Sequence, residues 1–270
     1  MRTTAVMAFA MGAMVAPLAQ GARPPARGFD RPLDTKIVKL AETKDRSKTT
    51  ITCSYYAHFM VKQIDEGEVG AAQLSIVPGD AAQKPVCQLA DLAAEKVVKA
   101  DEWSGYFKGV KGEFVFFDAA DGVNDAMGFA VFDAGAKKLL EDSALGDLRA
   151  VVDGATLTLE YQRSVTGECS VVHDGAACWA KIAATAGVAP TPAPDCAAGY
   201  LKFKTEIAKG RCDGTKTAKS ACVSKALEEL DAQHWNESPS VIVYAARTII
   251  AGGKPTTTSL GPAKSCRPAE

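Results

Sequence analysis

The chain has 270 residues, 47% of them hydrophobic and 23% charged, with a formal net charge of −1. This allows one large globular domain or two small ones. The near-neutral balance and the lack of a long Lys/Arg run argue against nucleic acid as a partner, because phosphate binding calls for a basic patch.

Residues 1–21 read as a signal peptide. Arg2 supplies the positive start, Ala5 to Val15 the apolar core, and Ala19-Gln20-Gly21 a small-x-small cleavage site. The apolar run is well short of the ~20 residues that span a bilayer, so cleavage rather than anchoring is expected. The expected location is periplasmic or secreted, with no membrane insertion after cleavage, and the Ala-rich leader points to a bacterium. Residues 22–48, with Pro24-Pro25 and Arg31-Pro32, are expected to form a flexible arm. Residues 49–270 then read as a single β-rich domain.

Thr49 to Ile64 alternates apolar and polar residues and reads as one half-buried strand, with a bend near Ala57-His58. Ala72 to Val77 is a second strand, ended by Pro78-Gly79-Asp80. Leu89, Leu92, Ala93 and Val97 fall at helical spacing, which predicts a helix within residues 87–100.

The stretch from Trp103 to Ser143 organises the rest. Phe114 and Phe116 should face one side of a strand and Val115 and Phe117 the other, so the strand should be interior. Residues 118–125 supply a turn, Met127 to Phe132 a second interior strand, and Lys137 to Leu140 a third after the Asp133-Ala134-Gly135 turn. The spacing is that of an antiparallel meander, close to a propeller blade, but the unit is not cleanly repeated. Leu148 to Arg163 reads as a hairpin about Asp153-Gly154, with Leu157, Leu159 and Tyr161 facing the core.

Trp179 to Ala186 suggests a short helix. The Pro-rich stretch 187–195 is a stiff connector, and residues 195–233 are a helical insertion. Asp195 is placed to cap the first of its two helices. Val241 to Ala246 returns to strand, followed by a Thr-rich hairpin. The expected fold class is mainly β, α+β by content. It is an antiparallel meander, sandwich-like or blade-like, with a helical hairpin before the C-terminal strands.

Eight cysteines, an even number, fit an oxidising compartment. Cys169 with Cys178 and Cys212 with Cys222 flank short polar loops that a disulfide could close, leaving Cys53 with Cys87 and Cys196 with Cys266. With no CxxC pair and only three histidines, disulfides are preferred to a zinc site, and no cofactor is expected.

No nucleophile elbow, zinc-peptidase helix, P-loop or dinucleotide fingerprint is present. Asp118, Asp121, Asn124 and Asp125 could offer oxygens to calcium, though not at EF-hand spacing, and turn chemistry explains them as well. Tyr56 and His58 are the better binding candidates of an aromatic-polar cluster; strand packing is the simpler reading. His173-Asp174 lacks a placed nucleophile. The expected function is an exported, non-catalytic β-rich protein that binds an exported protein or a glycan, or inhibits a hydrolase. The alternatives are an exported hydrolase with dispersed carboxylates and a structural envelope component.

Overall fold

The computed structural model describes residues 28–44, 47–80, 82–190, 192–214, 219–263 and 265–269; the expected signal peptide lies outside them. Five strands form a small antiparallel sheet in sequential order: β1 (Asp34–Leu40), β2 (Thr49–Tyr55), β3 (Phe59–Asp65), β4 (Gln73–Pro78) and β5 (Lys96–Val98). The larger sheet takes up β6 (Gly105–Lys111), β7 (Phe114–Val123), β8 (Ala126–Asp133), β9 (Lys138–Asp153) and β10 (Thr156–Thr166) as a meander. Helices α1 (Val171–Ala186), α2 (Cys196–Arg211) and α3 (Lys219–Ala232) follow. The chain then returns as β11 (Ser240–Ala251) beside β10, with β12 (Lys254–Ser259) and β13 (Ser265–Pro268) pairing β11. The molecule is mainly β, and the helices are inserted before the last strands.

Strand β7 lies between two hydrophobic cores. Its Val115 and Phe117 pack with Phe59, Val61, Leu74 and Ile76 of the small sheet. Its Phe114 and Phe116 join a second cluster with Leu157, Leu159, Tyr161, Trp179, Ile182 and Tyr200. Period-two alternation thus assigns each half of Phe114–Phe117 to its own interface, and the large sheet is the middle layer between small sheet and helices. All four side chains are buried, each worth roughly 1.5–3 kcal/mol relative to exposure.

The cysteines pair as Cys169–Cys178 and Cys212–Cys222, which the loop spacing suggested, and as Cys53–Cys87 and Cys196–Cys266, the pairs left over. Asp195 caps α2 by accepting the Ala198 N–H at 2.9 Å.

Several local expectations are corrected. Thr49 to Ile64 is not one bent strand but the hairpin β2–β3, turning at Tyr56–His58 with Tyr56 N–H donating to the Phe59 carbonyl at 2.8 Å. Alternation continues across so short a turn, so the period does not reveal it. No helix forms within residues 87–100. Cys87 is tied to Cys53, Leu92 packs on the small sheet's outer face, Glu95 bonds Lys62, and Lys96–Val98 is β5. The supposed arm, 22–48, contributes β1. Before it, Phe29 packs on Phe116 at 5.0 Å and Asp30 accepts from Lys111 Nζ and the Gly112 N–H. Residues 118–123 continue β7, and the turn is only Asn124-Asp125, both at positive φ (53° and 56°). The two expected strands at 137–140 and 148–152 are one long strand, β9, which passes through Gly146 at φ 79°. The Cys169–Cys178 segment is not a loop. It begins α1, with Ser170 Oγ accepting the His173 N–H, and Gly175 kinks the helix.

Candidate functional site

A trough of about 520 Å³ crosses the large sheet from β7 to β10, on the face that the small sheet covers further along. Its floor consists of small residues. Gly128 on β8 pairs with Ser143 on β9. Ala119 on β7 is the neighbour on the other side, 3.1 Å from where a Cβ on Gly128 would stand. On β10 the ladder to β9 ends with Arg163 opposite Ala144, and Ser164, the next residue, lines the trough with Ser143. At the β7 end rises Trp103, which enters from the loop after β5; its Cη2 would lie 3.7 Å from a Cβ at Gly128. Its indole N–H donates to the Asp118 carbonyl at 3.3 Å, fixing the ring. Any larger residue at 119, 128, 143 or 164 would fill the space.

Asp121 and Glu141 also line the trough. Glu141 is 56% exposed and pairs with Lys138 at 2.7 Å. Asp142 looks like its partner in sequence but faces the opposite way. There Asp142 accepts from Tyr161 Oη at 2.5 Å and Arg163 Nε at 2.8 Å, and Arg163 Nη1 donates to Tyr244 Oη at 2.8 Å. Tyr244 Oη donates in turn to the Ala186 carbonyl ending α1, at 2.7 Å. Burial first, then the charge of Asp142, pushes the Tyr161 phenol up. Burial would lower the Arg163 guanidinium, but its bond to Asp142 outweighs this and holds it above its ordinary value. The phenol of Tyr161 therefore keeps its proton and Arg163 its charge, and the bonded network braces the sheet beneath the trough. Tyr161→Phe, which removes a donor to Asp142, is expected to lower unfolding free energy by about 1–2 kcal/mol in urea titration.

The sequence-predicted residues lie elsewhere. Tyr56 packs on Phe59 at 5.5 Å and joins the inter-sheet core; burial, then the Asp30 charge, pushes its phenol up to about 12. His58 is exposed at the hairpin tip. Asp118 is engaged by Lys108 at 2.7 Å, Asp125 by Arg267 at 2.9 Å, and the Asn124 amide by Thr166 at 3.1 Å; only Asp121 reaches the trough. Among the described residues, the one cluster with three potential metal ligands is Cys169, Asp174 and Cys178, whose sulfurs form a disulfide. His173 and Asp174 bond each other at 2.8 Å, and that bond, with the carboxylate charge, raises the imidazole above its ordinary value.

Sequence reasoning named Trp103 and Ser143 only as the ends of the central stretch and gave no role to Glu141 or Ser164. Nothing local marks them, because each lies on a different segment and register alone assembles them. The chain is a β-rich protein stapled by four disulfides, and no helix among its described residues is long and apolar enough to cross a membrane. No family model, curated protein or solved structure matches it.

Proposed function

We propose that this is an exported, non-catalytic binding protein, working in the periplasm or outside the cell, and that the trough across β7–β10 holds an extended ligand. The observation that carries this reading is the row of small side chains running across the strands to the indole of Trp103. A concave, largely pre-formed site with a few polar groups and an aromatic wall is a usual ligand-binding arrangement. The leader and the four disulfides support export.

Hydrolysis by paired carboxylates fits less well. A glycosidase acid is kept protonated by an environment unlike that of its partner. Of the trough's carboxylates, Glu141 is solvated and ion-paired and Asp121 is exposed, so neither has an environment that sets it apart, and Asp142 is committed to the other face.

The test is retention on cellulose, chitin, peptidoglycan and immobilised envelope proteins, by the native chain and by Trp103→Ala and Ser143→Tyr. Both variants should lose retention while keeping the native circular dichroism spectrum. Equal retention by all three would refute the trough as the site. Turnover of any of these polymers that vanishes in Glu141→Gln would instead make the protein a hydrolase.

A further inference from the structure

We infer that the ligand of this trough is an extended peptide with a basic side chain, held as an added strand; this rests on the trough being the binding surface. The sheet opens at this point. The β9–β10 ladder ends with Arg163 opposite Ala144. Beyond it, Ser164, Val165 and Thr166 are paired with β11 alone, and Glu141, Asp142 and Ser143 with β8 alone. Two strand edges therefore border the trough with no ladder between them, and all six residues line it. On β7 the ladder to β8 breaks between Asp118 and Gly122, so Asp121 on the far wall is outside it as well.

Backbone direction makes this edge usable. In an antiparallel ladder, alternate residues turn their N–H and C=O groups to opposite neighbours. The Gly167 N–H donates to the Ser240 carbonyl on β11 at 2.8 Å. Thr166 therefore turns its own N–H and C=O the other way, into the opening, where it is exposed and no β9 residue pairs with it. Groups of this kind recur at every second residue of a strand, about 6.8 Å apart. A second polypeptide backbone reproduces that spacing when it adds as a strand. Such main-chain pairing supplies affinity for any sequence, and the side-chain surroundings supply the choice.

Charge sets that choice. Asp121 and Glu141 line the trough, and Asp121 has no ion-pair partner among the described residues. Arg163, the one cation of the lining, turns its guanidinium to the other face, where Asp142 and Tyr244 hold it. A lysine or arginine projecting from the added strand onto the trough face would pass over the small residues Ser143 and Gly128, its charge toward the two carboxylates. The indole of Trp103 is the aromatic wall for the same cation. An acidic side chain would meet only like charge there.

Isothermal titration of the oxidised chain with five probes would decide this. The probes are a capped hexapeptide of alternating lysine and valine, its glutamate-for-lysine counterpart, the lysine peptide N-methylated at its lysine amides, the same peptide N-methylated at its valine amides, and chitohexaose. The lysine peptide is expected to bind, and the glutamate peptide to bind more weakly by roughly tenfold or more, from like-charge juxtaposition. At least one methylated peptide should lose binding, because its amides can no longer donate to a strand edge. Asp121→Asn should weaken the lysine peptide about fivefold, the upper worth of an exposed charge pair. A glutamate peptide bound as tightly as the lysine peptide, or both methylated peptides bound like their parent, would overturn the inference. Chitohexaose binding that Ser143→Tyr abolishes, with no peptide bound, would overturn it too while leaving the trough as the site. Peptide binding unchanged in both Ser143→Tyr and Trp103→Ala would overturn the trough itself. Absence of binding by every probe would overturn both.

Discussion

Glu95→Ala is expected to destabilise the protein by about 3–5 kcal/mol, the range for breaking a buried ion pair from one side. Lys62 on β3 has a fully buried side chain and Glu95 is 1% exposed, with Nζ to Oε1 at 2.6 Å. The carboxylate also accepts from Ser75 Oγ at 2.6 Å and from the Leu92 N–H at 2.9 Å. Without Glu95, the ammonium group is left in the small sheet's outer layer with no close counter-charge, since Asp91 is 3.9 Å away and solvated. Lys62→Met combined with Glu95→Leu should cost far less than either single loss, because paired apolar replacements spare both desolvation penalties. Urea denaturation of the four proteins checks this; a double variant as unstable as Glu95→Ala would refute the pairing argument.

The same pair sets an acid dependence. Burial would raise the Glu95 carboxyl, but the bonds from Lys62, Ser75 and Leu92 and the Lys62 charge outweigh it and hold it below its ordinary 4.5. A carboxyl with a lowered folded pKa contributes stability that is complete above its unfolded value and is lost as pH falls through the folded one. The urea midpoint should therefore fall below pH 4.5, and less steeply in Glu95→Gln. Glu95 also leads directly into β5, and Trp103 follows with its N–H on the Lys99 carbonyl at 3.0 Å. Loosening that segment should weaken ligand binding at the indole along with stability.

Gly199→Ala is the second large effect. A Cβ at Gly199 would stand 1.8 Å from the Cys266 carbonyl oxygen, a backbone atom of β13. Nothing flexible can yield, and the Cys196–Cys266 disulfide holds helix and strand together one turn away. The substitution must push α2 off β13, and with it Tyr200, whose hydroxyl donates to the Ser238 carbonyl at 2.8 Å. The expected cost is about 3 kcal/mol or more, at or beyond the usual limit for overpacking. Gly210→Ala is the control. It lies in the same helix with nothing within 4 Å of the added carbon, and should stabilise by about 0.5–1 kcal/mol. Thermal midpoints moving in opposite directions confirm the contact; a neutral Gly199→Ala would refute it. Removing both Cys196 and Cys266, which close a span of 70 residues, should cost about 4 kcal/mol in the chain-entropy picture.

Much of the scaffold was legible before any fold was known. Residues that act on their near neighbours signalled themselves: Asp195 as a cap, Asp153-Gly154 as a turn, and the alternation of Phe114 to Phe117. The failures share one cause. The apolar stripe at Leu89, Leu92 and Val97 has helical spacing, but Glu95 in its midst is drawn to a lysine 33 positions earlier. The Tyr56–His58 turn has no glycine, proline or asparagine to mark it.

The amino-acid order by itself determined which side of each strand is apolar, where the helical hairpin falls, and which cysteines lie close enough to close short loops. Those properties depend on spacing along the chain. Only the tertiary structure decided that Trp103, Gly128, Ser143 and Ser164 share one trough, and that Glu141 faces it while Asp142 turns to the interior network. Side-chain period says which face a residue occupies but not which strand lies beside it, and a binding row that crosses strands exists only once their register is set.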